Sequence, residues 1–271
     1  MVSNLLDRRL GDILEETLSD ASGDVYFVNP SESAIEEFVE VANGGDHDAH
    51  VRLLAEYRTL KTVLEDFIVA STAADLAAEG RLSLRTVEEP PANTLLVTED
   101  RVVTLVDAGT QVGGLVTDDE SFVAETRDTY DERWADAEEH ALRTPPISEV
   151  RESLGSDLSD DAREDFEGVL TSLETARGDG DGLDEVTISL LVAARNEELL
   201  YDISKWGEDV GLASKATFSR TKTKLEDMGL IDTEKVPIDV GRPRLRLKLG
   251  DERLKGAKED QLATVAQSIL N

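Results

Sequence analysis

Residues 209–231 read DVGLASKATFSRTKTKLEDMGLI, and the way that string divides decides the fold of its half of the chain. Gly211 supplies a turn, Ser214 a side-chain oxygen to cap the following helix, Phe218 and Leu225 two inward anchors, and Gly229 a stop. Upstream, Val186, Ile188, Leu190, Leu191, Val192 and Ala193 predict one helix; Leu199, Leu200, Ile203 and Trp206 predict a second. Downstream, Ile231–Val236 and Arg244–Leu249 read as two strands joined through Pro237–Pro243, with Gly241 near the tip. Helix, helix-turn-helix and hairpin in that order form a winged helix, predicted over 184–250.

The chemistry of the segment agrees with that order. Ser214, Lys215, Thr217, Ser219, Arg220, Thr221, Lys222 and Lys224 lie on one short helix and offer hydroxyl and cationic donors. Such donors suit the phosphates and base edges of double-stranded DNA in a major groove. In Arg244-Leu245-Arg246-Leu247-Lys248-Leu249 the period is two, so the leucines are expected to pack inward while Arg244, Arg246 and Lys248 point outward together. Arg242, on a loop stiffened by Pro243, would reach the adjacent backbone or minor groove.

Charge singles out the same region. The 271 residues carry 28 Lys+Arg against 59 Asp+Glu, a net charge of -31. Residues 1–183 hold 14 basic and 43 acidic residues, 184–249 hold 11 and 12, and 214–248 hold 9 and 5. A relieved patch on an otherwise acidic surface points to a polyanionic partner, although a small basic helix that merely offsets acids elsewhere gives the same counts. Hydrophobic content is 39%, and patterned Leu, Val and Ile segments fill most of the chain, so disorder does not account for the acid excess. With eight of nine lysines at or after Lys205 and arginine outnumbering lysine, the surface reads as that of a protein from a salt-saturated cytoplasm.

Several classes are excluded as expectations. There is no cysteine, and His47, His50 and His140 stand at no metal-ligand spacing, so neither a metal nor a cofactor is expected. The apolar runs span only a few residues and no leader pattern follows Met1, so a cytoplasmic protein without a membrane partner is expected.

Residues 1–145 read as an α/β domain. A helix carrying Leu5, Leu6, Leu10, Ile13 and Leu14 from a cap near Ser3 opens it; strands follow at 24–28, 50–55 and 81–87, with helices between them, and these β-α units predict a parallel sheet. A hairpin at 94–98 and 101–106, a short strand near Leu115-Val116, and a helix with Phe122, Tyr130 and Trp134 behind a Thr117-x-x-Glu120 capping box complete it. Residues 146–183 read as a helical connector ending in the flexible run Gly178–Gly182, and 251–271 as a C-terminal helix that serves dimerisation or packs on its own wing.

Two strings in the C-terminal region resemble a known family. Ser214-x-x-Thr217-Phe218-Ser219-Arg220 followed by Leu225-Glu226-x-x-Gly229-Leu230-Ile231 is similar to the recognition helix and next strand of prokaryotic winged-helix regulators. Lys222 departs from that pattern, because such helices commonly place a leucine there. Tyr201–Val210 and Val236–Arg244 resemble the haloarchaeal TbsP-type regulators, relatives in role of the sugar-sensing TrmB group. That resemblance implies a homodimeric transcription factor, read as a repressor, acting on central carbon metabolism, including gluconeogenesis. Asn93–Val103 is similar in pattern to the strand pair of phospholipase-D-like domains, whose catalysis needs a His and a Lys two residues apart. Asn93 and Leu95 stand there instead, which implies a binding domain without that catalysis.

No other catalytic constellation is present, so the chain is read as a non-enzyme. A ligand of an α/β sheet is expected beyond the carboxyl ends of its strands. Asn29 and Ser31 follow the first such strand, and Tyr57, Arg58 and Lys61 follow the second, Lys61 being the only lysine before residue 205. These five are the candidates for binding a sugar-phosphate effector. The alternative reading is a sugar-phosphate enzyme or scaffold whose winged helix docks proteins; it lacks a visible base or nucleophile.

Overall fold

A computed structural model describes residues 4–45, 47–109, 111–173, 175–177, 183–238, 243–258 and 261–270. They form two compact units, Met1–Glu65 with Thr72–Leu142, and Asp66–Ser71 with Arg143–Asn271.

The first unit is built on a sheet of β1 (Leu5–Arg8), β2 (Asp24–Val28), β3 (His50–Ala55), β4 (Leu82–Thr86), β5 (Thr94–Val97), β6 (Val102–Asp107), β7 (Val112–Thr117) and β8 (Glu138–Glu139), in the order β1-β7-β6-β5-β2-β3-β4-β8. Only β2, β3 and β4 run parallel to one another. The other pairings are antiparallel, so the expected parallel sheet is in fact mixed. The reason is chain length: β5 and β6 are joined by a tight turn in which Thr98 N donates to Arg101 O, and no crossover helix fits in such a connection.

Helices α1 (Leu10–Asp20), α2 (Glu32–Gly44), α3 (Tyr57–Val63) and α5 (Glu120–Asp136) belong to this unit, as does α4 (Phe67–Ala78) from Thr72 onward. Three boundaries differ from expectation, each for a local reason. Leu5 and Leu6 belong to β1, where Leu5 packs on the bare backbone of Gly114, and the helix starts only at Leu10. The cap placed near Ser3 lies outside the described residues. The helical stretch between the strands at 50–55 and 81–87 is two helices rather than one, because buried Asp66 accepts from Ile68 N at 2.9 Å and so starts α4 afresh. Asp119, rather than Thr117, caps α5, accepting from Phe122 N at 3.0 Å; Thr117 Oγ1 accepts from Asp119 N one step earlier. Strand β2 is buried on both faces. Tyr26 and Val28 pack with Leu54, Val97 and Val102 under Val123 and Tyr130 of α5, while Phe27 meets Phe38 of α2.

The second unit contains α6 (Ile147–Asp157), α7 (Asp160–Thr171), α8 (Glu185–Arg195), α9 (Leu200–Asp209), α10 (Lys215–Asp227), β9 (Ile231–Val236), β10 (Arg244–Leu249), α11 (Glu252–Lys255) and α12 (Leu262–Leu270). Helix α8 is apolar on nearly every side and is the centre of the core. The stretch read as a connector contributes to that core: Val150 and Leu154 of α6 and Phe166 and Val169 of α7 join Ile188, Leu191 and Trp206. Trp206 Nε1 donates to Ser153 Oγ at 2.9 Å, tying α9 to α6. The Gly178–Gly182 run is outside the described residues. Leu262, Ala263 and Ala266 of α12 are buried in the same core, so the apolar face of the C-terminal helix packs on its own unit. Among the described residues no helix is long and apolar enough to cross a membrane.

Candidate nucleic-acid interface

Helices α9 and α10 meet at a glycine. A Cβ on Gly207 would lie 2.3 Å from the Phe218 ring, which is itself fully buried, so only glycine lets the two helices approach this closely. Gly211 at φ +86° reverses the chain between them, and Ser214 Oγ accepts from Thr217 N at 3.2 Å to open α10. With the helix anchored in this way, its faces are decided by the phase of Phe218, Lys222 and Leu225, which point into the unit.

The opposite face is an exposed stripe of Ala216, Ser219, Arg220, Thr223, Lys224 and Asp227, whose spacing follows one side of a helix. Arg220 donates to Thr217 Oγ1 at 3.3 Å, and neither Arg220 nor Lys224 has a carboxylate partner among the described residues. Two unpaired cations and two hydroxyls along about two helical turns can meet phosphate oxygens and base edges without first breaking an internal ion pair. Thr223 was not among the sequence candidates. Its place four residues after Ser219 and three after Arg220 was the signal that would have included it.

The other candidates on α10 divide. Thr217 and Thr221 are half-buried. Lys215 is exposed but holds Glu208 of α9 in an ion pair, and hydrogen bonds from Lys215 lower the Glu208 carboxyl below its ordinary value. Lys222 does not join the donor face. Its side chain is 11% exposed and its ammonium lies 2.7 Å from Glu226 Oε2, while Thr233 Oγ1 of β9 donates to the other carboxylate oxygen at 2.7 Å. A lysine at a leucine position is thus accommodated inside by a pair. Burial opposes ionisation of Glu226, yet the bonds from Lys222 and Thr233 together hold its carboxyl below the usual range.

The wing is a regular antiparallel ladder from Arg244 opposite Val236 to Leu249 opposite Ile231. Leu247 and Leu249 are buried as the alternation predicts, but the cations between them are not a free outward row. Arg244 lies over the Tyr201 ring at 4.4 Å and pairs with Asp202 at 3.4 Å, so it is clasped to α9. Arg246 Nε is buried without a hydrogen bond, and Lys248 pairs with Glu234 at 2.7 Å. Tyr201, the platform under Arg244, was not among the sequence candidates. Arg242 lies outside the described residues.

In the first unit the five effector candidates stand after the adjacent strands β2 and β3, and two of them have structural partners. Asn29, at φ +46°, donates through its side chain to Pro91 O at 2.7 Å, and its carbonyl accepts from Thr94 Oγ1, so it ties β2 to the start of β5. Ser31 caps α2 through Ala34 N. Tyr57, Arg58 and Lys61 are exposed on the short helix α3, and the Tyr57 ring meets that of His140 at 5.8 Å. A cation-bearing cavity lies elsewhere in the unit, over β3, β4 and α5. Its 410 Å³ is lined by His50, Arg52, Ser83, Arg85, Trp134 and His140, with Glu139 at one side. Sequence periodicity missed it because its residues come from four separate elements.

Two family models together match almost the whole chain. Residues 2–145 match the N-terminal model of TbsP-like transcriptional regulators, and residues 146–267 match the model of their C-terminal HTH domain. No curated protein matches the sequence. Among solved structures, the chain is similar to TrmBL2, an archaeal chromatin protein described as showing a novel mode of DNA binding, at 17% identity over 52% of this chain and 55% of that one, with a TM-score of 0.37. It is also similar to NucT from Helicobacter pylori, at 13% identity over 51% of this chain and 98% of that one, with the same TM-score of 0.37.

Proposed function

From the premise that the chain belongs to the TbsP-like transcriptional regulators and carries their C-terminal helix-turn-helix DNA-binding domain, we propose that α10 enters the major groove of double-stranded DNA. In this reading Ser219, Arg220, Thr223 and Lys224 face the duplex, with Ser214, Lys215, Thr217 and Thr221 around them, and the loop with Arg242 touches the flanking backbone. Arg220, with its planar fork, reads a base edge; Lys224 meets phosphate. Arg244 and Arg246 support the wing from beneath.

The observation that carries this reading is the unpaired cationic stripe of α10 on a chain of net charge -31. The first unit acts as the sensor of a small anionic metabolite and performs no chemistry of its own. Two copies bind a two-fold operator, repressing genes of central carbon metabolism. The acidic remainder suits molar salt, where the Debye length is about 3 Å and attraction between exposed charges is nearly extinguished. Affinity then leans on shape and hydrogen bonds. The test is a fluorescence-anisotropy titration of the full chain against genomic fragments in about 2 M KCl. Saturable, fragment-selective binding supports the reading; uniform or absent binding by folded protein contradicts it.

A further inference from the structure

We infer that the 410 Å³ cavity over β3, β4 and α5 is an oxyanion site for a small phosphorylated metabolite, with Arg85 and Ser83 as its principal donors. The inference rests on the reading of the first unit as a sensor and moves its binding site away from Arg58 and Lys61.

Arg85 is the starting point. Its guanidinium donates to two carbonyls at the end of α5, those of Trp134 and Ala137, and lies over the Trp134 ring at 4.9 Å. Carbonyls and a ring face orient a guanidinium but leave its charge uncompensated. No carboxylate lies within ion-pair distance of Arg85 among the described residues, although Glu139 stands opposite it in the β4–β8 ladder and lines the same cavity. Arg52 is the contrast. It lies over the other side of the same cluster, 5.8 Å from the Trp134 ring, and is neutralised by Asp24 at 2.6 Å and Asp131 at 3.4 Å. In a unit this rich in carboxylates, a fixed guanidinium that lines a cavity with no carboxylate in ion-pair contact is suited to hold an external anion.

The neighbouring polar groups are already oriented. Asp24 Oδ1 lies 2.7 Å from His50 Nδ1, and His50 Nε2 lies 2.9 Å from Ser83 Oγ. The three residues come from the starts of the adjacent strands β2, β3 and β4 and form one chain that ends at the cavity. The Ser83 hydroxyl at the end of this chain can turn its proton toward an anion in the cavity. His140 gives a second imidazole on the cavity wall, steadied by Tyr57. A volume of 410 Å³ admits a phosphorylated molecule of sugar size and is too small for a nucleic acid or a peptide.

The experiment is isothermal titration of the full chain with inorganic pyrophosphate in about 2 M KCl, with the same titration on Arg85→Met, Ser83→Ala and the double variant Arg58→Met/Lys61→Met. Saturable one-to-one binding is expected, weakened about tenfold or more by Arg85→Met and severalfold by Ser83→Ala, and unchanged in the double variant. Should Arg85→Met fail to fold because α5 loses its tether, Arg85→Lys and Ser83→Ala carry the test. Loss of affinity in the double variant alone, or no saturable heat from the wild type, overturns the site. DNA anisotropy with and without sugar phosphates separates the two readings. A metabolite response that survives Arg85→Met refutes this site and keeps the sensor; pyrophosphate binding that needs Arg85 keeps the site even if DNA affinity does not respond.

Discussion

Lys222 and Lys224 are two residues apart on α10, and the account gives them opposite roles. Replacing each with Met in turn separates charge that meets DNA from charge that holds the unit together. Lys224 is exposed and has no acidic partner among the described residues, so Lys224→Met should leave stability within about 0.5 kcal/mol and remove one phosphate contact. The slope of log K against log salt should then fall by about 0.9, and raising salt fourfold should cost the variant about 3.5-fold less affinity than it costs the wild type. Lys222 is 11% exposed and pairs with a Glu226 carboxylate that is 27% exposed. Breaking a buried pair costs about 3–5 kcal/mol. Glu226 keeps its bond from Thr233 and some access to water, so the loss here should be about 1–2 kcal/mol. The salt slope should not change. The Glu226 carboxyl is depressed in the folded state, so the pair's contribution is full above the ordinary carboxylate range and disappears as pH falls through the depressed value. The difference between wild type and Lys222→Met should shrink accordingly in acid. A double variant, Lys222→Met/Glu226→Met, should recover most of the lost stability, since a well-packed apolar pair replaces an ionic one at little cost. Denaturant melts and anisotropy titrations at several KCl concentrations read both quantities. A salt slope that falls as much for Lys222→Met as for Lys224→Met would refute the reasoning.

Three more outcomes follow from the same geometry. Gly207→Ala pushes a methyl into the buried Phe218 ring, so despite alanine's better helix propensity it should destabilise the second unit by about 1–3 kcal/mol, seen as a lower midpoint in thermal melts. Arg220→Ala should relax sequence preference among operator variants, whereas Arg244→Ala, which frees Tyr201 and Asp202, should lower stability and weaken binding to all duplexes alike; competition titrations against random DNA distinguish them. A fragment of residues 184–271 lacks Val150, Leu154, Phe166 and Val169, whose burial is worth about 6–12 kcal/mol together, as much as a domain's whole stability, so it should show helical far-UV but no ordered near-UV dichroism.

The winged helix was legible because each of its parts carries a local mark. Ser214 caps, Gly211 and Gly229 punctuate, and the leucines of 244–249 alternate, so both wing strands have the bounds read from sequence. Periodicity also located β2 and β3. What escaped depends on distant partners. Nothing near Val150 or Phe166 says that α6 and α7 belong with α8, and an acidic run ending in glycines reads as a hinge on composition alone. Lys222 counted as a donor because its partner Glu226 lies one turn away and looks like any surface acid. The cavity around Arg85 joins β3, β4, α5 and the segment at His140, and only the folded sheet brings those together.

The most direct measurement of the central claim is the affinity of the full chain for its selected genomic fragment, compared with that of Arg220→Gln/Lys224→Gln, at one salt concentration and equal thermal stability. The account predicts saturable, selective binding by the wild type and a loss of both affinity and selectivity in the double variant, about 100-fold or more if Arg220 reads a base and Lys224 a phosphate. Undiminished selective binding by the folded double variant would contradict it, because the exposed stripe of α10 would then not be the surface that meets DNA.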